Sequence, residues 1–331
     1  MNNMGYACIN MQLSNSKPRI YTGRSMIKRT FKAKGIKYAS ELGLQNTKDL
    51  FEIIKWNNEN GFDFFRITSN LFPWCSEYEL EDMPDHWEIC GILGEIGKYV
   101  TENNMRITSH PGPFNVLTSP HEHVVENCIK DLSVHGEVFD MMGLSRTPYN
   151  KINIHIGGAY GDKVSAMERF CTNFHRLPDS VKSRLTVEND DKATMYSVKD
   201  LYEGVYSVIG IPIVFDYHHH RFCTGDLSEQ QALEMAMSTW GNIVPVVHYS
   251  ESRSIEQNDD KIRPQAHSDY VYDYIDTYGN EVDIMVEAKA KELAVLKYQE
   301  LHSSGSRDMD TLYTKEELKE QEEHTYEFTT R

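Results

Sequence analysis

Short β-type runs and longer helical patterns alternate eight times along this 331-residue chain, and that alternation constrains the fold more than any single motif. GYACINMQL (5–13), FDFFRITS (62–69), MRITSHP (105–111), KINIHIGG (151–158), LTVEND (185–190), PIVFDYH (212–218), NIVPVVHYS (242–250) and EVDIMVEAK (281–289) read as strands. Between them lie helical patterns: NTKDLFEIIKWNNENG (46–61), HWEICGILGEIGKYVTENN (86–104), 121–142, 162–176, SVKDLYEGVYSVIG, SEQQALEMAMSTWG and SDYVYDYIDTYG. A chain of this length could hold two average domains, but barrels of about 250 residues fold as one. Strand then helix, repeated, predicts an α/β fold: a single (β/α)8 TIM barrel over residues 1–302. The stretch 303–331, with KEELKEQEEH, is expected to be a charged tail outside it. A doubly wound open sheet is the rival, but no G-x-G-x-x-G loop follows the first strand and GGAYGDK is not a phosphate loop.

Composition removes several function classes. No segment approaches the roughly 18 uninterrupted apolar residues of a membrane span, and MNNMGYACIN lacks the basic head and apolar stretch of a signal peptide, so the expectation is a soluble intracellular protein. The cysteines Cys8, Cys75, Cys90, Cys128, Cys171 and Cys223 form no C-x-x-C pair and read as reduced, packed thiols. A net charge of −16 argues against nucleic acid as a partner, yet its distribution is uneven. Residues 1–40 carry Lys17, Arg19, Arg24, Lys28, Arg29, Lys32, Lys34 and Lys37 without one acid, so the rest of the chain holds all 50 carboxylates. Such an arm is either a solvated loop or a phosphate-contacting element.

The polar residues fall in a pattern. From the third strand to the eighth, a metal-competent side chain stands near each C-terminal end: His110, His155, Glu188, Asp216, His248 and Glu287. In a barrel these ends converge on one mouth, where barrel active sites are built. His219, just after the sixth strand, and His267, in the long loop after the seventh, can overhang the same mouth. Each alone has an ordinary alternative, such as a hydrogen-bonded core histidine or a helix-start carboxylate. Together they exceed what one ion needs, and mixed imidazole and carboxylate suit Mn²⁺, Zn²⁺ or Fe²⁺, so two or three ions are expected. In VFDYHHH, Asp216 and His219 are the ligand candidates, with His218 and His220 behind them or facing solvent. His86, His121, His123, His135, His175, His302 and His324 fall in helical or tail segments, where surface or packing roles are expected.

The ordered set GYACINMQL, FRITSNLFPW, SHPG, HIGGAYGDK, VENDD, VFDYHHH, VHYS, AHSDY and IMVEAKAKE resembles the UV damage endonucleases, relatives of endonuclease IV, over roughly residues 4–300. The resemblance implies hydrolysis of the phosphodiester 5′ to a lesion in double-stranded DNA, with Mn²⁺ as the usual ion and Zn²⁺ or Mg²⁺ as alternatives. It implies no obligate protein partner, and it places the enzyme in a DNA-containing compartment. Glu188 would bridge two ions; His110 and His155 would complete one site, Asp216, His248 and Glu287 the other, and His219 and His267 a third. Tyr6 and Asn10 would probe the damaged pair, while Lys163, Arg24, Lys28 and Arg29 would meet phosphates. Three departures stand out. Pro113 replaces the family's wedging Gln, although Phe114 keeps an aromatic surface; Val246 replaces a lysine two residues before His248; and no histidine accompanies Glu77. The competing readings are an endonuclease IV-like abasic-site enzyme, a divalent-metal sugar isomerase, which would explain neither the basic arm nor SHPG, and a non-catalytic DNA-binding descendant.

Overall fold

Alternating side chains along the predicted strands find two different cores. The computed structural model describes residues 3–302; the tail predicted over 303–331 lies outside the described residues. The strands β1 (Met4–Ala7), β2 (Phe64–Ile67), β3 (Arg106–Ser109), β4 (Ile152–Ile154), β5 (Leu185–Glu188), β6 (Ile213–Asp216), β7 (Val246–Tyr249) and β8 (Asp283–Val286) close in sequence order into a parallel barrel. Phe65, Ile107, Ile154, Val187, Phe215, Val247 and Val286 join the large core shared with the helices, while Ala7, Phe64, Val214, Val246 and Met285 form a smaller apolar cluster with Trp240. That division is the period-two alternation of a strand whose two faces are both buried.

The outer helices are α1 (Lys28–Glu59), α2 (His86–Glu102), α3 (Glu122–Met141), α4 (Lys163–Phe174), a composite α5 (Val198–Leu201, a π turn Tyr202–Tyr206, and Ser207–Ile209), α6 (Glu229–Met237) and α7 (Glu292–His302). Local chemistry starts several of them: Ser197 with Asp200 and Ser228 with Gln231 are capping boxes, and Asp162 caps α4. Among the described residues no helix is long and apolar enough to cross a membrane.

Two segments differ from the sequence reading. Helix α1 begins at Lys28 rather than near Asn46, so half of the basic arm is helical, with a break at Gly35 (φ 65°, ψ −161°) that suits a residue without a Cβ. This first part has little apolar periodicity and is held from outside: Phe31 stacks on Trp74 at 6.0 Å and the Lys28 ammonium lies 5.8 Å from the same ring. The second difference is SDYVYDYIDTYG, which is irregular; only the one-turn helix Arg253–Glu256 precedes it in the β7–β8 connection. Carboxylates serve its backbone in place of a helical ladder: Glu256 accepts from the amides of Asp269 and Tyr270, and Glu251 from those of Tyr272 and Asp273.

Candidate metal centre at the barrel mouth

Glu188, the last residue of β5, is the hub on which the predicted ligands converge. Its Oε2 lies 3.2 Å from His110 Nε2 and 3.0 Å from His248 Nδ1, and its Oε1 lies 3.4 Å from His219 Nδ1 and 3.9 Å from His155 Nε2. Glu287, one residue beyond β8, has Oε1 3.1 Å from the same His248 Nδ1 and Oε2 4.0 Å from His267 Nδ1. Asp216 ends β6, where its Oδ1 accepts from the His219 amide at 2.8 Å and so caps the turn Tyr217–His220. Two groups offer donor atoms within 4.8 Å of one another: His110, His155 and Glu188, and Glu188, Asp216 and His248. The His219 and His267 rings, expected to hold a third ion, lie 6.1 Å apart.

The ligand candidates are oriented from behind. His110 Nδ1 donates to the Pro111 carbonyl at 3.0 Å and His219 Nδ1 to the Asn189 carbonyl at 2.9 Å. A carbonyl only accepts, so in both rings Nε2 is left with a free lone pair. Asp190 Oδ1 sits 3.1 Å from His155 Nδ1. Asn153 donates through Nδ2 to Glu188 Oε2, and its own oxygen accepts from Thr186 Oγ1 at 2.7 Å, which fixes the amide's direction. Arg66, on the inner face of β2, is ion-paired with Glu287. Asn153, Asp190, Arg66 and Lys151 were not among the residues singled out from sequence. The inward period of KINIHIGG (Lys151, Asn153, His155) was the available signal for two of them.

Three carboxylates meeting in one place, Glu188 and Asp216 buried and Glu287 largely so, require positive charge. Burial alone would raise the Glu188 carboxyl, but the neighbouring His248 and His155 hold it well below the usual range. Glu287 follows the same balance, with Arg66 the main counter-charge. Asp216 is pushed up to about 7 by burial, and Glu188 and Glu287 add to the shift against His219. Burial lowers His248 to about 4 and also depresses His110 and His267. In His155 the desolvation is outweighed by Glu188 and Asp190, and its pKa rises to about 10.

The atoms themselves test whether cations fit. Asp216 Oδ2, His248 Nδ1 and His267 Nδ1 are buried without a well-directed hydrogen bond. Buried polar atoms normally find partners, and these three face their carboxylate and imidazole neighbours across gaps of ligand-shell size. The donor set fits divalent ions of the Mn²⁺ or Zn²⁺ kind.

Other expected site residues are placed differently. Tyr6 and Asn10 are fully buried: the Tyr6 hydroxyl bonds Asn57 of α1 and accepts from Asn10 Nδ2 at 2.9 Å, and Asn10 also caps Met11–Ser14, so neither offers surface to a duplex. Tyr6 lies on the outward face of β1 against Phe62 and Phe65, a parity that its motif does not reveal. His218 and His220 are buried as well; neither faces solvent. Arg24 is paired with buried Asp49 at 2.7 Å and Lys163 with Asp200 at 3.1 Å, whereas Lys28 and Arg29 are exposed. Phe114 is 87% exposed on the loop after β3, whose base is tied down by Asn115 Nδ2 to Asp131 at 2.7 Å and by the Val116 amide to Cys128 Sγ at 3.1 Å. Val246 lies in the apolar cluster below His248, and Glu77 is exposed.

Residues 2–316 match the family described as UV-endonuclease UvdE. The chain belongs to that family. It is 37% identical over 308 residues to the UV-damage endonuclease of Schizosaccharomyces pombe, covering 89% of this chain but 49% of the yeast protein, so it spans about half that relative's length. The UV DNA damage endonuclease of Bacillus mycoides is 35% identical, with 77% of this chain and 80% of the bacterial one aligned. The crystal structure of SacUVDE superposes with a TM-score of 0.78 at 30% identity, covering 92% of this chain and 98% of that one. A D-psicose 3-epimerase from Clostridium cellulolyticum H10 (TM-score 0.51, 13% identity) shares the barrel fold.

Proposed function

We propose that this UvdE-family protein is a metal-dependent endonuclease that hydrolyses the DNA phosphodiester on the 5′ side of a UV photoproduct. The observation that carries the reading is the convergence of His110, His155, Glu188, Asp216, His248 and Glu287 on one partly buried, incompletely hydrogen-bonded cluster at the mouth. His110, His155 and Glu188 would hold one ion, and Glu188, Asp216, His248 and Glu287 a second; His219 and His267 would serve a third. When bound, such ions, Mn²⁺ first and Zn²⁺ or Mg²⁺ as alternatives, supply Lewis acidity to the phosphate and acidify the attacking water.

The chain's own groups do the positioning. Glu188 is the shared anion, held by Asn153, and Asp190 keeps His155 turned toward it. The exposed Phe114 ring is placed to wedge into a duplex next to the lesion, in the manner of apolar side chains that unstack base steps. Pro113 removes any amide contact beside it, so discrimination among lesions rests on Phe114. Lys28 and Arg29, both exposed and with no carboxylate partner among the described residues, are the cations offered to flanking phosphates.

The test uses end-labelled duplexes bearing a cyclobutane dimer, a 6-4 photoproduct, an abasic site or no lesion, each with Mn²⁺ and with chelator. We expect Mn²⁺-dependent nicks immediately 5′ to the photoproducts, leaving a 3′-hydroxyl. Cleavage of abasic DNA alone would replace this reading with the endonuclease IV-like one. No cleavage by metal-loaded protein would remove the catalytic reading.

A further inference from the structure

Lys151 is fully buried immediately before β4 of a closed barrel. Its backbone is fixed, since its carbonyl accepts from the Ser109 amide of β3 at 2.9 Å. Its Nζ lies 3.1 Å from His248 Nε2. An amine in a barrel interior is costly and offers less packing than an aliphatic side chain of the same length. A purely structural role would therefore be better served by Met or Leu.

Three other histidines of the cluster show by comparison what the amine does. His110, His155 and His219 each have an oxygen behind one ring nitrogen: the Pro111 carbonyl, the Asp190 carboxylate and the Asn189 carbonyl. His248 has none. Below it lie Val246, Phe64, Val214, Met285 and Trp240, all apolar. Among the described residues, Lys151 supplies the hydrogen-bond partner of His248 Nε2. The opposite nitrogen, Nδ1, stands 3.0 Å from Glu188 and 3.1 Å from Glu287. Rotating the ring by half a turn would bring carbon to both places.

We propose that Lys151 is a positioning residue that holds the His248 ring with Nδ1 turned to the Glu188–Glu287 side, where it ligates the second ion. The assignment rests on where the nitrogens stand and on the metal reading given above: a neutral ring that ligates through Nδ1 carries its hydrogen on Nε2, which donates to the Lys151 amine. It makes β4 contribute at two depths, His155 to one ion directly and Lys151 to the other through His248.

The experiment counts Mn²⁺ sites and their affinities by isothermal titration, with electron paramagnetic resonance of free Mn²⁺ as a second readout, on wild type, Lys151→Met and Lys151→Gln. In Lys151→Met we expect one class of site to weaken about 10- to 100-fold, the loss typical when a ligand's orienting partner is removed, with the thermal midpoint unchanged or higher. Lys151→Gln restores a polar atom one bond short of Nζ and should recover part of the affinity. A structural role predicts the reverse: a lower midpoint and unaltered Mn²⁺ binding. Wild-type affinity in either folded variant overturns the proposal, and the Gln variant decides alone if the Met variant does not fold. If wild type itself binds no Mn²⁺, the metal reading falls and this proposal with it; if wild type binds and the variants match it, only the Lys151 assignment falls.

Discussion

The barrel interior buries charge at both ends, and the two ends treat it differently. At the floor, where β3 and β8 begin, Arg106 and Asp283 pair at 2.7 Å. Arg106 also donates to the Tyr149 and Val244 carbonyls at 2.8 and 2.9 Å, and its guanidinium lies 4.7 Å from the Tyr149 ring. At the mouth, three carboxylates and five imidazoles crowd together, with Asp216 Oδ2, His248 Nδ1 and His267 Nδ1 lacking well-directed bonds. A satisfied buried ion pair belongs to the fold, whereas a cluster with unpartnered polar atoms fits the binding of an ion. The contrast matches the division of labour in this architecture, with stability at the N-terminal ends of the strands and chemistry at the C-terminal ends.

Glu188→Gln tests the mouth and carries the largest expected effect. The amide keeps the shape and the Asn153 contact region but removes the shared negative charge. Cleavage should fall by roughly a thousandfold or more, the scale on which transition-state electrostatics act. In chelator the midpoint should fall modestly without loss of the fold, because the amide lacks the attraction to His248 and His155 that holds this carboxyl below its usual range. Measured turnover near wild type would show that the mouth cluster is not the reaction centre. A collapsed fold would show that the mouth resembles the floor after all.

Arg106→Met tests the floor. Removing one partner leaves Asp283 buried without its counter-charge, which costs about 3–5 kcal/mol. Replacing Asp283 by Leu in the same chain should recover most of it, since a well-packed apolar pair often matches a buried ion pair. Urea unfolding gives both numbers, and turnover per folded molecule should stay at the wild-type level. A fall in turnover without a fall in stability would mean that the floor reports to the mouth, and the comparison would fail.

What could be read from sequence follows the same line. All eight strands were legible because a doubly buried strand needs a near-continuous apolar run and its helices need caps such as Ser197 and Ser228, both local signals. The convergence of His110, His155, Glu188, Asp216, His248 and Glu287 could be read because the architecture sends every strand end to one mouth. Facing was harder. Tyr6 and Asn10 belong to a recognisable motif, yet whether Tyr6 looks inward or toward α1 depends on the β1–β2 register Tyr6↔Phe65, which residue types do not disclose. Lys151 and Arg66 were passed over because a cation in a strand reads as exposed until the barrel closes around it. The helix at Lys28–Thr30 was missed because Trp74, far along the chain, holds it in place.

The smallest effect carries the comparison to the surface. Arg24 resembles the floor: its guanidinium is spoken for by Asp49, which also accepts from the Tyr21 amide at 2.7 Å. Lys28 and Arg29 resemble the mouth, exposed and with no carboxylate partner among the described residues, at the start of a helix that follows the C-terminal end of β1. Each phosphate neutralised on a duplex contributes about 0.9 to the slope of log K against log salt. Lys28→Gln with Arg29→Gln should therefore flatten that slope by about 2 and weaken binding alike for damaged and undamaged duplexes, because phosphate contacts carry no lesion information. Arg24→Gln should leave the slope unchanged and instead lower stability, since it strands a buried Asp49. Fluorescence anisotropy across a salt series separates the two. If Arg24 sets the slope and the Lys28–Arg29 pair does not, then pairing in the free protein is no guide to which cations meet DNA, and the rule drawn from the barrel's two ends stops at its interior.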